Sequence, residues 1–116
     1  MALIAVDIDG VLASKLESGN YPQDYLKKTP LEYAIEGLTY LKVEGHEVFL
    51  FTARYEEDRD VTVEWLEEHG FSGLYKYIRF AKPKYDVLID DRAIRHHDWI
   101  STVSQIHELQ QTGKWF

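Results

Sequence analysis

Apolar and polar positions alternate in blocks along the chain. Leu3-Ile4-Ala5-Val6 is a short apolar run closed by Asp7, the pattern of a strand buried on both faces. Residues 12–29 are mostly polar, and Gly19-Asn20 is the expected turn within them. Thr29-Pro30-Leu31-Glu32 has the form of a capping box with proline at the first helical position. Leu31, Ala34, Ile35, Leu38 and Leu41 follow at helical spacing, and Gly45 is placed to end that helix in a left-handed turn. Val48-Phe49-Leu50-Phe51 predicts a second buried strand that stops at Thr52. Asp58 to His69 predicts a helix with Val61, Trp65 and Leu66 on one side. Tyr75 to Phe80 predicts a strand, and Val87-Leu88-Ile89 another buried one running into Asp90-Asp91. A last helix is expected over Trp99 to Gln111, with Ile100, Val103, Ile106 and Leu109 apolar.

Strands alternating with helices predict an α/β fold: one Rossmann-like three-layer domain over residues 1–116, a mainly parallel sheet with helices on both faces. The 116 residues leave no room for a second domain, and residues 12–29 are too few for a cap domain. In such sheets ligands bind at the carboxyl ends of the strands, near a switch in strand order. The polar residues that interrupt the apolar runs stand there: Asp7 and Asp9, Thr52, and Asp90 and Asp91.

Charge and composition narrow the chemistry. The formal net charge of −7 argues against nucleic acid or an anionic membrane as partner. With no cysteine, disulfides, zinc-thiolate sites and thiol catalysis are excluded. The N-terminal apolar run is far short of the roughly 20 residues of a membrane span, so a cytoplasmic protein is expected. Trp115-Phe116 is expected to pack on the fold or on a neighbouring subunit, which leaves a homo-oligomer open.

If strand geometry persists, Asp7 and Asp9 point the same way. Two adjacent carboxylates repel, and are favourable together only with a cation or a shared proton. Asp90 and Asp91 would reach the same edge, and the resulting oxygen-rich site suits Mg²⁺. Mg²⁺ is usually held by a few carboxylates plus substrate phosphate. Thr52 offers such a phosphate a hydroxyl, Lys82 an ammonium, and the amides after Gly10 and Thr52, Ala53 among them, a cradle. Lys84 is a rival for the lysine. Each residue alone has an ordinary explanation as cap, turn or solvated charge; their joint placement at strand ends carries the signal. His96-His97-Asp98 reads as a solvated turn. Arg54 reads equally as a surface ion pair or a substrate contact. Lys15, Tyr21, Tyr25, Lys27 and Lys28 read as a loop beside the site, within reach of the non-phosphate part of a substrate.

Asp7-Ile8-Asp9-Gly10-Val11-Leu12 resembles the first motif of the haloacid dehalogenase superfamily. Phe51-Thr52-Ala53-Arg54 resembles the second, Lys82-Pro83 the third and Ile89-Asp90-Asp91-Arg92 the fourth, in the family's order. The last stretch is similar to a branch of small, capless members, some linked to capsular polysaccharide biosynthesis. The resemblance implies a phosphatase that hydrolyses a small phosphorylated substrate such as a sugar phosphate, through an aspartyl-phosphate. Asp7 would be the nucleophile and Asp9 the general acid and base, with Thr52 and Lys82 on the phosphoryl oxygens. Asp7, the Asp9 carbonyl and Asp90 would hold Mg²⁺, with Asp91 nearby. To act as an acid near neutral pH, Asp9 needs a raised pKa, which burial beside Asp7 could supply. A nucleotide or polynucleotide-end phosphatase is an alternative. So is a phosphorylatable receiver domain, although its acids precede its Thr and Lys, the reverse of the second acidic pair here.

Overall fold

A computed structural model of the chain describes residues 1–15 and 21–116. The turn expected at Gly19-Asn20 lies outside them. Three strands, β1 (Leu3–Val6), β2 (Glu47–Phe51) and β3 (Ile78–Arg79), form one parallel sheet in the order β1-β2-β3. Three helices join or follow them: α1 (Ala34–Val43), α2 (Arg59–Glu68) and α3 (Trp99–Thr112). Strand, helix, strand, helix, strand in one parallel sheet is the expected Rossmann-like α/β architecture. No helix among the described residues is long and apolar enough to cross a membrane.

The strands show which face of the sheet carries the core. Val6, Val48, Leu50 and Ile78 are buried and join Leu38, Leu41, Trp65, Leu66 and Phe71 in one cluster. On the opposite face Leu3 is 62% exposed, and Phe49 and Phe51 are half-buried, with Phe49 stacked on Tyr77 at 5.1 Å. The expectation that Leu3–Val6 is buried on both faces is therefore corrected: it buries Val6 and shields Ile4 in part.

Two further expectations are corrected. The predicted capping box does not cap α1. Thr29 instead pairs with Ser14 in extended backbone, and Pro30 bridges Ala13. The helix starts at Ala34 behind Tyr33, which sits in the left-handed region at φ 62°. Non-local pairing of residues 12–14 with 29–31 outcompetes the cap. Val87-Leu88-Ile89 forms no strand: Ile89 is 96% exposed and the run lies outside the sheet. Its apolar character matches a buried strand, yet no strand of the sheet pairs with it.

α3 is tied to the site end of the sheet. Trp99 packs its ring on α1 at Gly37, where a Cβ would stand 2.3 Å from the ring. Its indole N–H donates to the Val11 carbonyl at 2.8 Å, which braces the loop that follows β1. Asp98 caps α3 by accepting from the Ser101 amide at 2.7 Å. His96 bonds Thr102 Oγ1 at 2.7 Å. The His96-His97-Asp98 cluster is thus a helix entry.

Candidate active site

The carboxyl ends of all three strands meet at one edge. β1 delivers Asp7 and Asp9, β2 delivers Thr52 and Arg54, and the chain leaving β3 delivers Lys82. The ladder between β2 and β3 continues past their ends. The Thr52 amide donates to the Arg79 carbonyl at 3.0 Å, the Lys82 amide to the Thr52 carbonyl at 2.9 Å, and the Ala81 amide to the Arg54 carbonyl at 2.7 Å. This pairing places the Lys82 side chain beside Asp7, with Nζ 3.8 Å from Oδ2. Lys84 points elsewhere, with its ammonium 5.5 Å from the Tyr55 ring centre. Of the two candidate lysines, the structure brings Lys82 to the carboxylate.

Asp7 and Asp9 stand in contrasting surroundings. The Asp7 side chain is 38% exposed and accepts the Ile8 amide at 2.8 Å. Burial pushes its carboxyl above the usual range; Lys82, the Ile8 amide and Lys15 pull the other way, and Asp9 adds to the rise. Asp9 is 18% exposed and held from two sides. Arg54 donates from Nε to Oδ2 at 3.0 Å and from Nη2 to Oδ1 at 2.7 Å. Lys28 donates from Nζ to Oδ1 at 2.5 Å. Burial pushes the Asp9 carboxyl up, but the hydrogen bonds and charges of Arg54 and Lys28 outweigh it and hold it below the usual range. The expected raised pKa of Asp9 is corrected: the raised carboxyl is Asp7.

Arg54 and Lys28 are functional candidates that the sequence left among ambiguous loop residues. Both are buried. The Arg54 guanidinium lies 3.7 Å from the centre of the buried Tyr25 ring and donates to Thr62 Oγ1 at 3.1 Å. The Lys28 carbonyl accepts the Trp65 indole N–H at 2.9 Å, which anchors that residue to α2. One signal in the sequence could have found Arg54. Thr52 and Arg54 repeat the spacing of two that sets Asp7 and Asp9 on one side.

Thr52 is fully buried, and its hydroxyl oxygen accepts the Arg54 amide at 3.1 Å, which leaves the hydroxyl proton to donate. Ala53 stands between them at the same strand end. Gly10 has φ +88° and donates its amide to the Ala13 carbonyl at 2.7 Å. The amides of Val11, Leu12 and Ala13 all donate to the Ile8 carbonyl. The turn after Gly10 thus uses these amides itself, which corrects the expectation that they form a phosphate cradle. A Cβ on Gly10 would stand 2.7 Å from Lys15 Cε, so the missing side chain lets Lys15 lie across the turn.

Asp90 and Asp91 are exposed, and Asp90 accepts the amide of Arg92 in a local turn at 2.7 Å. Among the described residues no three acidic or histidine side chains come together as a metal site. The donor set of Asp7, the Asp9 carbonyl, Asp90 and Asp91 as arranged therefore does not fit Mg²⁺, since Asp90 and Asp91 are solvated and do not join Asp7 in one cluster. The expected gathering of all four carboxylates is corrected, because the 87–89 run that would carry two of them is not in the sheet. What does gather is positive charge: Lys15, Lys28, Arg54 and Lys82 surround Asp7 and Asp9. Among the described residues, four cations against two carboxylates make an anion-attracting spot on a chain of net charge −7.

No protein-family model matches the chain. A Bacillus cereus protein named "Putative nucleotidase" is 43% identical over 47 residues, which are 40% of this chain and 25% of that protein. The chain thus spans about a quarter of the length of that curated relative. Among solved structures, the crystal structure of an MCSG target from Vibrio cholerae is 28% identical, with a TM-score of 0.68. The match covers 98% of this chain and all of that one. A conserved protein from Bacteroides thetaiotaomicron is 26% identical with a TM-score of 0.57, over 98% of this chain and 92% of that one. Near-complete coverage at these scores places the chain in the same single-domain α/β fold as the two solved proteins.

Proposed function

We propose that the protein is a phosphomonoester hydrolase in which Asp7 is the nucleophile. The observation that carries this reading is a half-exposed carboxylate inside a cluster of cations at the carboxyl edge of a parallel sheet. A phosphate dianion is drawn to that edge, and Lys82 and Lys15 offset its repulsion from Asp7. An Asp7 oxygen forms a bond to phosphorus as the ester oxygen leaves; water then attacks the aspartyl-phosphate, and inorganic phosphate departs. Asp9, held ionised, takes the proton of that water as general base. With its carboxyl held down it is a poor acid for the first step, so esters with good leaving groups are the faster substrates.

The four motifs in the order of the haloacid dehalogenase superfamily support the same reading, as does the short match to a protein named a nucleotidase. A small phosphorylated metabolite, a sugar phosphate or nucleotide, is the proposed substrate. Mg²⁺ belongs to the proposal on one condition. The exposed 87–89 run must bring Asp90 and Asp91 beside Asp7, and hydrogen exchange over residues 86–92 with and without Mg²⁺ reads this directly. The test of the activity is a screen of phosphorylated metabolites with Mg²⁺ and with chelator, using Asp7→Asn as control. Phosphate release that survives Asp7→Asn overturns the reading, as does equal labelling of Asp7→Asn and wild type by ³²P substrate in a rapid quench.

A further inference from the structure

The network around Asp9 is more than the fold requires. Lys28 has a fully buried side chain and Arg54 one that is 2% exposed, and both donate to one carboxylate. Buried ion networks seldom stabilise a protein relative to apolar side chains of the same shape, because desolvation offsets their attraction. Stability alone does not explain two buried cations on Asp9. The geometry does more than pair charges: it fixes an orientation. Arg54 grips both oxygens of the carboxylate as a fork. The guanidinium itself is held by the Tyr25 face, by Thr62 Oγ1 and, through its own backbone, by Thr52 Oγ1. Lys28 closes from the other side, its backbone fixed by Trp65.

A carboxylate oxygen has two principal acceptor directions. Among the described residues, Oδ1 accepts from both Lys28 and Arg54, whereas Oδ2 accepts from Arg54 Nε. Oδ2 is therefore the oxygen with an acceptor direction left for a reacting proton.

We propose that Arg54 and Lys28 are positioning residues that lock the Asp9 carboxylate so that Oδ2 faces the reacting water. This rests on the phosphatase reading above and deepens it. Arg54 acts through Asp9, so its loss lowers kcat and leaves KM unchanged. A guanidinium that bound the substrate phosphate directly would do the reverse. Misplacement of a reacting group by about 1 Å costs on the order of 10²-fold, and Arg54→Gln is expected to lose kcat on that scale. Arg54→Lys, which keeps one charge but not the fork, recovers only part of it.

The decisive experiment is a double-mutant cycle read in kcat. Arg54→Gln and Asp9→Asn are made singly and together, with Lys28→Met as a second entry to the same lock. If Arg54 works through Asp9, the double variant is no slower than Asp9→Asn alone. Independent, multiplying losses overturn the proposal, as does a raised KM with kcat intact. Should Arg54→Gln fail to fold, the milder Arg54→Lys carries the same cycle. A readout on the protein alone separates this proposal from the phosphatase reading. The Arg54 Nε–H resonance in ¹⁵N NMR exchanges slowly in wild type and fast in Asp9→Asn if the fork exists. An unchanged resonance overturns the lock while leaving phosphatase activity standing. A slow resonance in a protein that releases phosphate from no ester overturns the phosphatase reading and, with it, the catalytic meaning of the lock.

Discussion

Two wholly apolar runs of this chain end in opposite surroundings. Val48-Phe49-Leu50-Phe51 is the middle strand of the sheet, with Leu50 fully buried; Val87-Leu88-Ile89 lies outside the sheet, with Ile89 96% exposed. The difference is in the neighbours. β2 is paired on both edges, with β1 from Glu47 to Leu50 and with β3 at Leu50 and Phe51. The 87–89 run follows a chain that leaves β3 at the opposite edge of the sheet from β1. An apolar run becomes a strand only where another edge receives it. The site inherits this asymmetry: its Asp9 side is locked by buried cations, and its Asp90-Asp91 side is solvated.

Truncating one residue of each run separates the two most strongly. Leu50→Ala removes a fully buried side chain from the core and is expected to cost about 2–5 kcal/mol. Ile89→Ala removes an exposed one and is expected to stay within about 0.5 kcal/mol. Denaturant unfolding of both variants checks this. An Ile89→Ala loss near that of Leu50→Ala would mean that the run is buried in solution. Repeating the Ile89→Ala melt with Mg²⁺ asks the same of the metal-bound protein.

The next largest effect separates the two acids. Asp9→Asn leaves Lys28 and Arg54 buried against an uncharged amide, a loss expected at about 3 kcal/mol. Asp7→Asn removes a carboxylate that burial disfavours, and an Asn oxygen still accepts the Ile8 amide. Stability is expected to hold or rise, as at many functional positions. Thermal melts of the pair at pH 7 give the sign, and a destabilised Asp7→Asn would refute it.

Much of this arrangement was legible in the chain, and the failures have identifiable causes. Asp7, Thr52 and Lys82 reach one edge because each directly follows a strand, and parallel sheets gather such residues. α2 and α3 begin within a residue of the expected positions, since their apolar spacing is helical and Asp98 supplies a cap. The entry to α1 was misread because a capping box is a local signal, and Thr29 finds a non-local partner in Ser14. Lys28 reads only as a loop residue beside the site for the same reason: nothing near it in sequence shows that its ammonium meets Asp9, 19 residues away. Asp90 and Asp91 were misplaced because their position depended wholly on the strand before them.

A smaller effect follows from titrating the two acids. The folded-state pKa of Asp9 lies below its ordinary 3.8, so its ionised form stabilises the fold above that pH. That contribution is lost as pH falls from 3.8 through the folded value. Asp7 is raised above 3.8, so the folded protein keeps its proton longer than the unfolded chain. Its contribution is present below 3.8 and is lost as pH rises through the folded value. Unfolding free energies between pH 3 and 6 should therefore diverge. The deficit of Asp9→Asn relative to wild type grows as pH rises to about 3.8 and then levels, whereas Asp7→Asn gains on wild type as pH rises above 3.8. Parallel curves would show that the two carboxylates share one environment.

The smallest effect lies at His96, where the chain after the exposed 84–93 segment returns to the fold. Its ring is tilted against Trp99 at 4.9 Å, and its Nδ1 is 2.7 Å from Thr102 Oγ1. Burial lowers its pKa from 6.5; Asp98 opposes the shift and His97 adds to it. The unfolded chain therefore takes up a proton at higher pH than the folded protein does. Stability at this residue is full above about 6.5 and declines as pH falls through the folded pKa. Burial beside Trp99 disfavours the charged ring and gives the shift its sign. His96→Gln should remove part of the stability lost between pH 7.5 and 5.5 without altering the acid range governed by Asp7 and Asp9. If the variant and wild type lose equal stability over that interval, His96 is titrating as it does in the unfolded chain, and its contact with Thr102 does not anchor the segment.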